Sequence, residues 1–289
     1  MSTLGIVILN YGTPKLTLEL LRISLDISLF NKIVIVDNNS VDDSKKIIGD
    51  YILNLGDDRV EFLETGENLG YARGNNVGLR YLVDRGIDFC YVANPDTFFE
   101  YSTIYEIAAL LETDEYGLVT CSRKYKTGNQ IRQFWDFPSF TDILMENSFI
   151  GSKIKAKKYI YNVNGTKPFE IEVSPGAFFA IKSKVLTLID YLDSNTFLWY
   201  EENCLAAKLR MYGIKIGFIP SVEYIIINDV ENSTKKFRKN KKSNSLKISC
   251  QSKMYFAKKY LKIGFIKKTI LKFSNFIFVV ERKIINLFK

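Results

Sequence analysis

The alternation of apolar runs with amphipathic segments constrains the fold of this chain more than any other feature. Four runs rich in β-branched and aromatic residues predict strands: LGIVIL (4–9), KIVIVD (32–37), RVEFLE (59–64) and DFCYVAN (88–94). Three segments between them predict helices: 14–29, 41–53 and 74–85. Strands this apolar, separated by helices, indicate βαβ units on a parallel sheet that helices cover on both faces.

The same alternation continues more weakly toward the C-terminus. Further strands are predicted at 117–121, 177–182 and 215–220, and further helices at 103–111 and 201–212. After residue 122 the pattern becomes irregular, and the region around FEIEV predicts only short strands. We therefore divide the chain into a body, 1–234, with halves 1–122 and 123–234, and a helical tail, 235–289.

Composition excludes several kinds of chemistry. With 289 residues, of which 47% are hydrophobic, the chain is long enough for one large, well-buried domain and an appendage. It contains no histidine, which rules out a histidine base, an imidazole metal ligand and a Ser-His-Asp or Cys-His nucleophile system. The four cysteines are scattered without a CxxC pair, which predicts buried thiols in a reducing compartment.

Two features predict a cytoplasmic location. The stretch MSTLGIVILNYG has no basic region, and its apolar run is too short for a signal peptide. No stretch reaches the roughly 18 apolar residues of a spanning helix. We therefore expect the protein inside the cell.

Basic residues are concentrated in the tail. The net charge of the chain is +8, yet from Lys235 onward it has 17 Lys and Arg and one acid, Glu281. Apolar residues recur there at three- and four-residue steps and form one helical stripe: Ile266, Ile270, Phe273, Ile277, Val280, Ile284 and Leu287. This pattern predicts that 263–289 dock on an anionic membrane surface, at the inner face of the cell membrane. The alternative is packing on the body or on a second subunit of a homodimer. The segment lacks a nucleic-acid reading motif, so no nucleic-acid partner is expected.

Polar side chains follow three successive strands. The second strand ends in Asp37-Asn38-Asn39-Ser40, the third leads into NLGYARGNNVG (68–78), and the fourth ends in Asn94-Pro95-Asp96. Each cluster alone is typical of a turn or a helix cap. Because ligands bind at the carboxyl ends of strands in such sheets, the three together predict a binding site. The chain has no GxxxxGK(S/T) motif, and its glycine pattern is not GxGxxG after the first strand, which argues against a P-loop and a dinucleotide fold.

An ordered set of motifs resembles those of a known family. The motifs are VILNYGTP, IVDNNSVD, NLGYARGNNVG, NPD, SPGAFF and FLWYEENCLAAKLRMYG, over residues 4–235. They resemble family 2 glycosyltransferases with the GT-A fold, most closely the rhamnosyltransferase-like bacterial enzymes of capsule and lipopolysaccharide assembly. The resemblance implies an α/β, Rossmann-like, mostly parallel sheet with a nucleotide-binding half, 1–122, and an acceptor-side half, 123–234. It implies an inverting, metal-dependent transfer of a sugar from a UDP-sugar or dTDP-rhamnose to a hydroxyl of a growing, lipid-linked bacterial surface glycan.

The resemblance assigns residues to the donor side. In the family, the first strand end and the DNNS-like motif hold the base and ribose, and the glycine-rich segment lies along the nucleotide. The residues so assigned are Asn10, Tyr11, Asp37, Asn39, Gly70, Arg73 and Asn75. An aspartate is a good acceptor for a pyrimidine imide N–H, and glycine permits close backbone approach. For Asn75, a helix cap is the alternative.

The resemblance also places a metal motif at Asn94-Pro95-Asp96. Asp96 would bind Mg²⁺ or Mn²⁺, a hard cation that prefers oxygen ligands and neutralises the leaving diphosphate. Asn94 stands where the family's DxD-like motif has its first acid. Asn228 stands where the family commonly has a histidine near the metal, and it is assigned as a weak oxygen ligand.

On the acceptor side the resemblance points to two segments. Gly176 and Ala177 would lie close to the sugar, with a turn before a core strand as the alternative. Glu202 matches the base that deprotonates the acceptor hydroxyl, and Glu201 is the alternative base. A capping role for this acidic pair at a helix start is also open. The preceding Trp199-Tyr200 is either a platform for the acceptor sugar or part of the core.

Two other functions are compatible with the sequence. The asparagines at positions 94 and 228 favour a weakened or non-catalytic nucleotide-sugar-binding protein. A sugar nucleotidyltransferase has a similar sheet, although LNYGTPK is a poor version of its glycine-rich triphosphate loop. Turnover of a nucleotide sugar distinguishes the transferase from the first alternative, and pyrophosphate release would favour the second.

Overall fold

One sheet forms the centre of the molecule. A computed structural model describes residues 2–129, 131–156, 162–227 and 238–287. The strands in these ranges are β1 (Leu4–Asn10), β2 (Phe30–Asp37), β3 (Val60–Glu64), β4 (Phe89–Ala93), β5 (Thr97–Phe99), β6 (Leu118–Tyr125), β7 (Phe169–Ile171), β8 (Phe178–Lys182) and β9 (Ile216–Ile226). Their order is β3-β2-β1-β4-β8-β6-β9-β5, with β7 beside β9. The first four strands are parallel, as predicted, and β8 runs antiparallel to β4.

Helices cover both faces of this sheet. They are α1 (Pro14–Asp26), α2 (Ser44–Leu55), α3 (Gly70–Asp84), α4 (Tyr101–Glu112), α5 (Phe140–Glu146), α6 (Phe149–Ala156), α7 (Ser183–Leu188), α8 (Glu201–Met211), α9 (Arg238–Lys259) and α10 (Phe265–Leu287). Alternate residues of β1 point to opposite faces. Ile6 and Ile8 share a buried cluster with α1, α2 and α4, whereas Val7 belongs to a second cluster with α3 and α8. The predicted α/β class is confirmed.

Strand pairing brings the polar strand ends to one edge of the sheet. Asn10 at the end of β1 lies in register with Asp37 at the end of β2. Phe178 at the start of β8 pairs with Ala93 at the end of β4. Because β8 is antiparallel, the residues just before it lie at the same edge as the residues that follow β4. We call this the site edge.

Several elements differ from the sequence prediction. Helix α3 begins at Gly70, four residues earlier than predicted, because glycines lower the apparent helix propensity of this stretch. Strand β9 continues to Ile226, and α5, α6, α7 and β5 form where the pattern predicted none. The start of α5 carries a capping box between Ser139 and Asp142, a signal that was present in the sequence SFTD.

The tail forms two helices that pack on the body. Phe256 and Ala257 of α9 and Leu271 of α10 are buried in a third cluster with Ile143 of α5 and Cys204 of α8. The proposed boundary at 234 lies within 228–237, outside the described residues. Within the described ranges, no helix combines the length and the apolar character needed to cross a bilayer.

Candidate active site

A buried hydrogen-bond network joins the ends of β1 and β2. Asn10 donates from Nδ2 to Asp37 Oδ1 at 2.7 Å and to Ser40 Oγ at 3.0 Å, and its Oδ1 accepts from Thr17 Oγ1 at 2.8 Å. Asp37 also accepts from the Ser40 amide at 3.0 Å and from the Ser40 hydroxyl at 2.6 Å. Asn10 is 0% exposed, so its amide orients the Asp37 carboxylate from inside the fold. Tyr11, the next residue, is exposed at the site edge.

Asn38 connects β2 to the start of α3. Its side chain is buried, donates to the Gly70 carbonyl at 3.1 Å and to Asn68 Oδ1 at 3.2 Å, and accepts from the Leu69 amide at 3.0 Å. Asn39, which the sequence analysis selected, is exposed and has a left-handed backbone with φ 56°. Asn38 therefore makes the buried hydrogen bonds at this end of β2. The contact of Asn39 with the donor nucleotide stays a prediction.

The glycines of NLGYARGNNVG let α3 pack directly against its neighbours. Gly70 has φ 78°, and a Cβ there would overlap the carbonyl oxygen of Phe197. A Cβ at Gly74 would lie 2.8 Å from Leu9 Cδ1, and one at Gly78 would lie 2.6 Å from Val7 Cγ1. These glycines are spaced by four residues and so share one face of the helix. Close approach here therefore serves helix–sheet packing, and a donor contact at Gly70 stays a prediction.

Two other donor candidates on α3 differ in accessibility. The Arg73 side chain is half exposed, and its Nη2 lies 3.5 Å from Glu67 Oε1. Asn75 is fully buried, donates to the Tyr71 carbonyl at 3.0 Å, and has a buried Oδ1 without a hydrogen-bond partner in the described part of the chain. The helix start lies at Gly70, so Asn75 does not cap it.

The end of β4 and the start of β8 form the centre of the site edge. The backbone N–H of Asn94 donates to the backbone carbonyl of Ala177 at 2.9 Å. The backbone carbonyl of Asp96 accepts from the backbone N–H of Ile227 at 2.9 Å. The Tyr71 hydroxyl of α3 donates to the Gly176 carbonyl. The structure thus brings the SPGAFF segment together with both the NPD segment and the glycine-rich helix. Burial raises the pKa of the Asp96 carboxyl above its ordinary value.

The two carboxyls at the start of α8 lie against this centre. A Cβ at Gly176 would be 3.1 Å from Glu202 Cγ, so a glycine there leaves room for the Glu202 side chain. Burial raises the pKa of Glu202, although hydrogen bonds and the Arg123 guanidinium partly oppose the shift. Burial and then the neighbouring Glu202 raise the pKa of Glu201 well above its ordinary value. The Glu201 Oε2 atom is buried and has no hydrogen-bond partner among the described residues.

Such a pair is suited to proton transfer. Two carboxyls that share a desolvated place hold a proton far more readily than isolated ones. Burial raises the pKa of both carboxyls, and a carboxylate with a raised pKa is a stronger base than an ordinary glutamate. A raised pKa together with a place at the strand ends is what a general base requires.

The two residues before the pair have strained backbone. Trp199 and Tyr200 have φ 71° and 67°, a conformation that bulky residues rarely adopt. Tyr200 is buried, donates from its hydroxyl to Glu146 Oε2 at 2.6 Å, and packs edge-on against Phe256. Trp199 is 49% exposed. Of the two predicted acceptor residues, Tyr200 is therefore a core residue, and Trp199 alone is accessible to a sugar.

A small pocket separates the carboxyl pair from α3. It is lined by Tyr71, Ser174, Pro175, Gly176, Phe179, Leu192, Glu201, Glu202 and Leu205. Sequence reasoning missed Tyr71, although it lies inside the glycine-rich motif. Burial, and then the charges of Glu201 and Glu202, raise the pKa of this phenol well above its ordinary value.

Metal ligands are few in the described ranges. No group of three Asp, Glu, Cys or His side chains there could hold an ion. Asp96 supplies one carboxylate, and Asn228 lies outside the described residues.

Comparison with known proteins decides the family. A family profile described as Glycosyl transferase family 2 matches residues 6–187. The chain belongs to glycosyl transferase family 2. The match ends before Glu201, so the carboxyl pair lies beyond the matched residues.

Two curated relatives and one solved structure are similar to this chain. The chain is 24% identical over 226 residues to the low-salt glycan biosynthesis hexosyltransferase Agl10 of Haloferax volcanii, covering 78% of this chain and 67% of the relative. It is 19% identical over 196 residues to the dTDP-rhamnosyl transferase RfbF of Shigella flexneri, covering 67% of this chain and 58% of the relative. The chain thus spans about two thirds or less of the length of these relatives.

The solved structure shows the fold. The mannosyltransferase PcManGT of Pyrobaculum calidifontis, in complex with GDP-Man and Mn²⁺, superposes with a TM-score of 0.59 at 16% identity. The superposition covers 95% of this family 2 glycosyltransferase and 69% of the other chain. The GT-A fold expected from the motifs is confirmed.

Proposed function

We propose that this family 2 glycosyltransferase transfers a sugar, with inversion, from a UDP-sugar or dTDP-rhamnose to a hydroxyl of a growing, lipid-linked surface glycan. The observation that carries the proposal is the half-buried Glu201–Glu202 pair, which lies against the Gly176 segment beside the end of β4. The functions of the two relatives, hexosyl transfer in glycan biosynthesis and dTDP-rhamnosyl transfer, support the donor class.

Glu202 acts as the general base in this proposal. It accepts the proton of the acceptor hydroxyl while that oxygen forms a bond to the anomeric carbon of the donor sugar. The bond from that carbon to the diphosphate breaks, and the nucleoside diphosphate leaves. A single displacement of this kind inverts the anomeric centre. Burial and the neighbouring Glu202 raise the pKa of Glu201, and a protonated Glu201 limits the negative charge of the pair.

The nucleotide lies over the ends of β1 and β2 in this proposal. Asp37 is held rigidly by Asn10 and Ser40, so its carboxylate is preorganised to accept a hydrogen bond from the base or ribose. Tyr11, after β1, and Arg73, on α3, are exposed aromatic and cationic side chains that this proposal assigns to the nucleotide.

Asp96 is the carboxylate that would hold a divalent metal in this proposal. Burial raises the pKa of its carboxyl, and a cation bound there would stabilise the ionised form. Mg²⁺ or Mn²⁺ bound there would neutralise the diphosphate of the donor. Asn94 and Asn228 are the amide oxygens proposed to assist.

Donor titration in the presence and absence of Mn²⁺ tests this assignment. In the wild type, Mn²⁺ strengthens the binding of the UDP-sugar or dTDP-sugar that is recognised. Asp96→Asn removes most of that gain, because an amide binds a hard cation far less well than a carboxylate. The matched control is Asp58→Asn, an exposed carboxylate at the opposite edge of the sheet, which leaves the gain unchanged. An equal metal effect in Asp96→Asn and the wild type would refute the assignment.

The tail supports the proposal that the enzyme acts at the inner face of the cell membrane. The apolar stripe predicted on α10 faces away from the body, with Ile266, Ile270 and Phe273 exposed, and Lys267, Lys268 and Lys272 lie beside it. Apolar side chains flanked by lysines complement an anionic lipid surface. A lipid-linked acceptor would be presented at the same surface.

A further inference from the structure

The backbone segment that leads to the carboxyl pair is held from two sides. This segment, residues 192–200, ends in the strained residues Trp199 and Tyr200, directly before Glu201. Strained backbone persists only where the surroundings fix it. The contacts that fix this segment therefore also set the position of the two carboxyls.

Helix α3 holds the first side. Asn76 donates from Nδ2 to the Leu192 carbonyl at 2.9 Å and accepts from the Leu192 amide at 3.0 Å. The Tyr71 amide donates to the Phe197 carbonyl at 2.9 Å, at the place where Gly70 leaves no room for a Cβ.

Helix α9 and the residues that follow it hold the second side, mainly through Asp193. The Asp193 carboxylate, with only 1% of the side chain exposed, accepts from the Tyr255 hydroxyl at 3.0 and 2.9 Å and from Lys259 Nζ at 3.1 Å. It also accepts from the Tyr260 hydroxyl. Ser252 adds a bond of 2.9 Å to the Leu198 carbonyl.

We propose that Asp193 is a positioning residue through which α9 holds the 192–200 segment, and with it Glu201 and Glu202, in working geometry. The proposal rests on the proposed function of that pair. It assigns the tail a role in catalysis that is separate from docking, because α9 holds the segment that leads to the carboxyl pair through this buried carboxylate as well as through Ser252 and Phe256.

The chemistry of the cluster explains why an ionised aspartate is needed. Burial alone would raise the pKa of Asp193, but hydrogen bonds from Tyr260, Asn195 and Lys259 outweigh it and lower the pKa below its ordinary value. The carboxylate can accept from several donors at once, whereas an asparagine has one acceptor oxygen and presents an N–H₂ group to the others. Asp193→Asn therefore loses bonds to α9 without a change in size.

Two variants and a control test the proposal. Asp193→Asn removes several hydrogen bonds between the segment and α9. Tyr255→Phe removes one hydrogen-bond donor and leaves the Asp193 carboxylate intact. The control is Asp114→Asn, which breaks the ion pairs of Asp114 with the buried Lys182 and with Lys184 at the opposite edge of the sheet.

Hydrogen–deuterium exchange and steady-state kinetics give separate readouts. In Asp193→Asn we expect faster exchange of the backbone amides in 195–204. We also expect kcat to fall by roughly 10²-fold, as it does when a catalytic group is misplaced by about 1 Å. The dissociation constant of the nucleotide-sugar donor should not change. Tyr255→Phe shows the same pattern in smaller measure, and Asp114→Asn shows neither change. Unchanged exchange in 195–204 for both variants, or equal loss of kcat in Asp193→Asn and Asp114→Asn, would overturn the proposal. If the wild type transfers no sugar, the proposed function fails, but the exchange comparison still decides whether Asp193 holds the segment.

Discussion

Glu201 and Glu202 are neighbours of the same residue type in different surroundings. Glu202 lies beside the Gly176 amide and within reach of the Arg123 charge, whereas Glu201 has a buried oxygen without a partner among the described residues. Burial, and then the charge of Glu202, raise the pKa of Glu201 well above its ordinary value. The residue with more support for its charged form is the better candidate for the ionised base, which is why we assign that role to Glu202.

The raised pKa of Glu201 predicts a stability effect that depends on pH. Between the ordinary value of a glutamate and the raised native value, the folded protein binds more protons than the unfolded chain, so wild-type stability falls as pH rises. Glu201→Gln has no such proton to lose. We expect urea unfolding to show the variant more stable than the wild type at pH 8, with the difference narrowing at pH 5.

The control is Glu19→Gln, an exposed glutamate on α1, which should show no comparable narrowing. A Glu201→Gln variant that is less stable than the wild type at pH 8, or whose difference from it does not change with pH, would contradict the account of the pair.

At the scale of elements, helix α3 links the sheet to the candidate site. Its glycine face lets it approach β1 closely, and its first turn contacts both Asn38 and the 192–200 segment. The position of Tyr71 and Asn76 follows from this packing. The glycine-rich motif therefore contributes to the site through the placement of a whole helix.

Adding a methyl group to this face should destabilise the fold. A Cβ at Gly78 would lie 2.6 Å from Val7 Cγ1 in the buried interface, so Gly78→Ala forces overpacking and costs about 1–3 kcal/mol of unfolding free energy. Gly49→Ala on α2 meets only Phe62 at 3.7 Å and should gain about 0.5–1 kcal/mol from helix propensity. Chemical denaturation of both variants measures the contrast, and equal changes would show that close packing of α3 is not what Gly78 provides.

The sequence predicted elements well where one local pattern decides them. The first four strands were placed correctly because a fully buried parallel strand is a continuous apolar run. The start of α3 was misplaced because its glycines are selected by packing against Leu9 and Val7, which lie far away in the chain. The contacts of Tyr71 with Gly176 and of Asp193 with α9 join residues distant in sequence, so no local pattern could reveal them.

At the scale of the whole molecule, helix α10 of the tail has one face packed on the body and, in its described part, one exposed face. Leu271 and Phe278 of α10 are buried, whereas Phe273 is 66% exposed. The sequence predicted that an apolar stripe on this helix docks on an anionic membrane surface, with packing on the body or on a second subunit as the alternative. In the structure, the described members of that stripe point outward, and a different set of residues packs on the body.

A charge placed in the exposed stripe should weaken binding to anionic vesicles. Burying one phenylalanine contributes about 1.5–3 kcal/mol, so Phe273→Glu should lower the vesicle-bound fraction by roughly tenfold or more in sedimentation. Leu53→Glu, at an exposed position on α2, is the matched control and should bind as the wild type does. Binding should also weaken with added salt. If Phe273→Glu sediments like the wild type, α10 does not dock on lipid, and a changed oligomeric state would point to a second subunit.

The most direct test of the central claim is sugar transfer by the wild type and by Glu202→Gln, with donor binding measured on the same preparations. A panel of UDP-sugars and dTDP-sugars is scored with Mn²⁺ for release of free nucleotide, with and without a lipid-linked acceptor. We predict that the wild type turns over one of these donors, and that Glu202→Gln binds it equally well but transfers about 10²–10⁴-fold more slowly. Donor binding without turnover in the wild type would indicate a binding protein, and wild-type turnover in Glu202→Gln would contradict the assignment of the base.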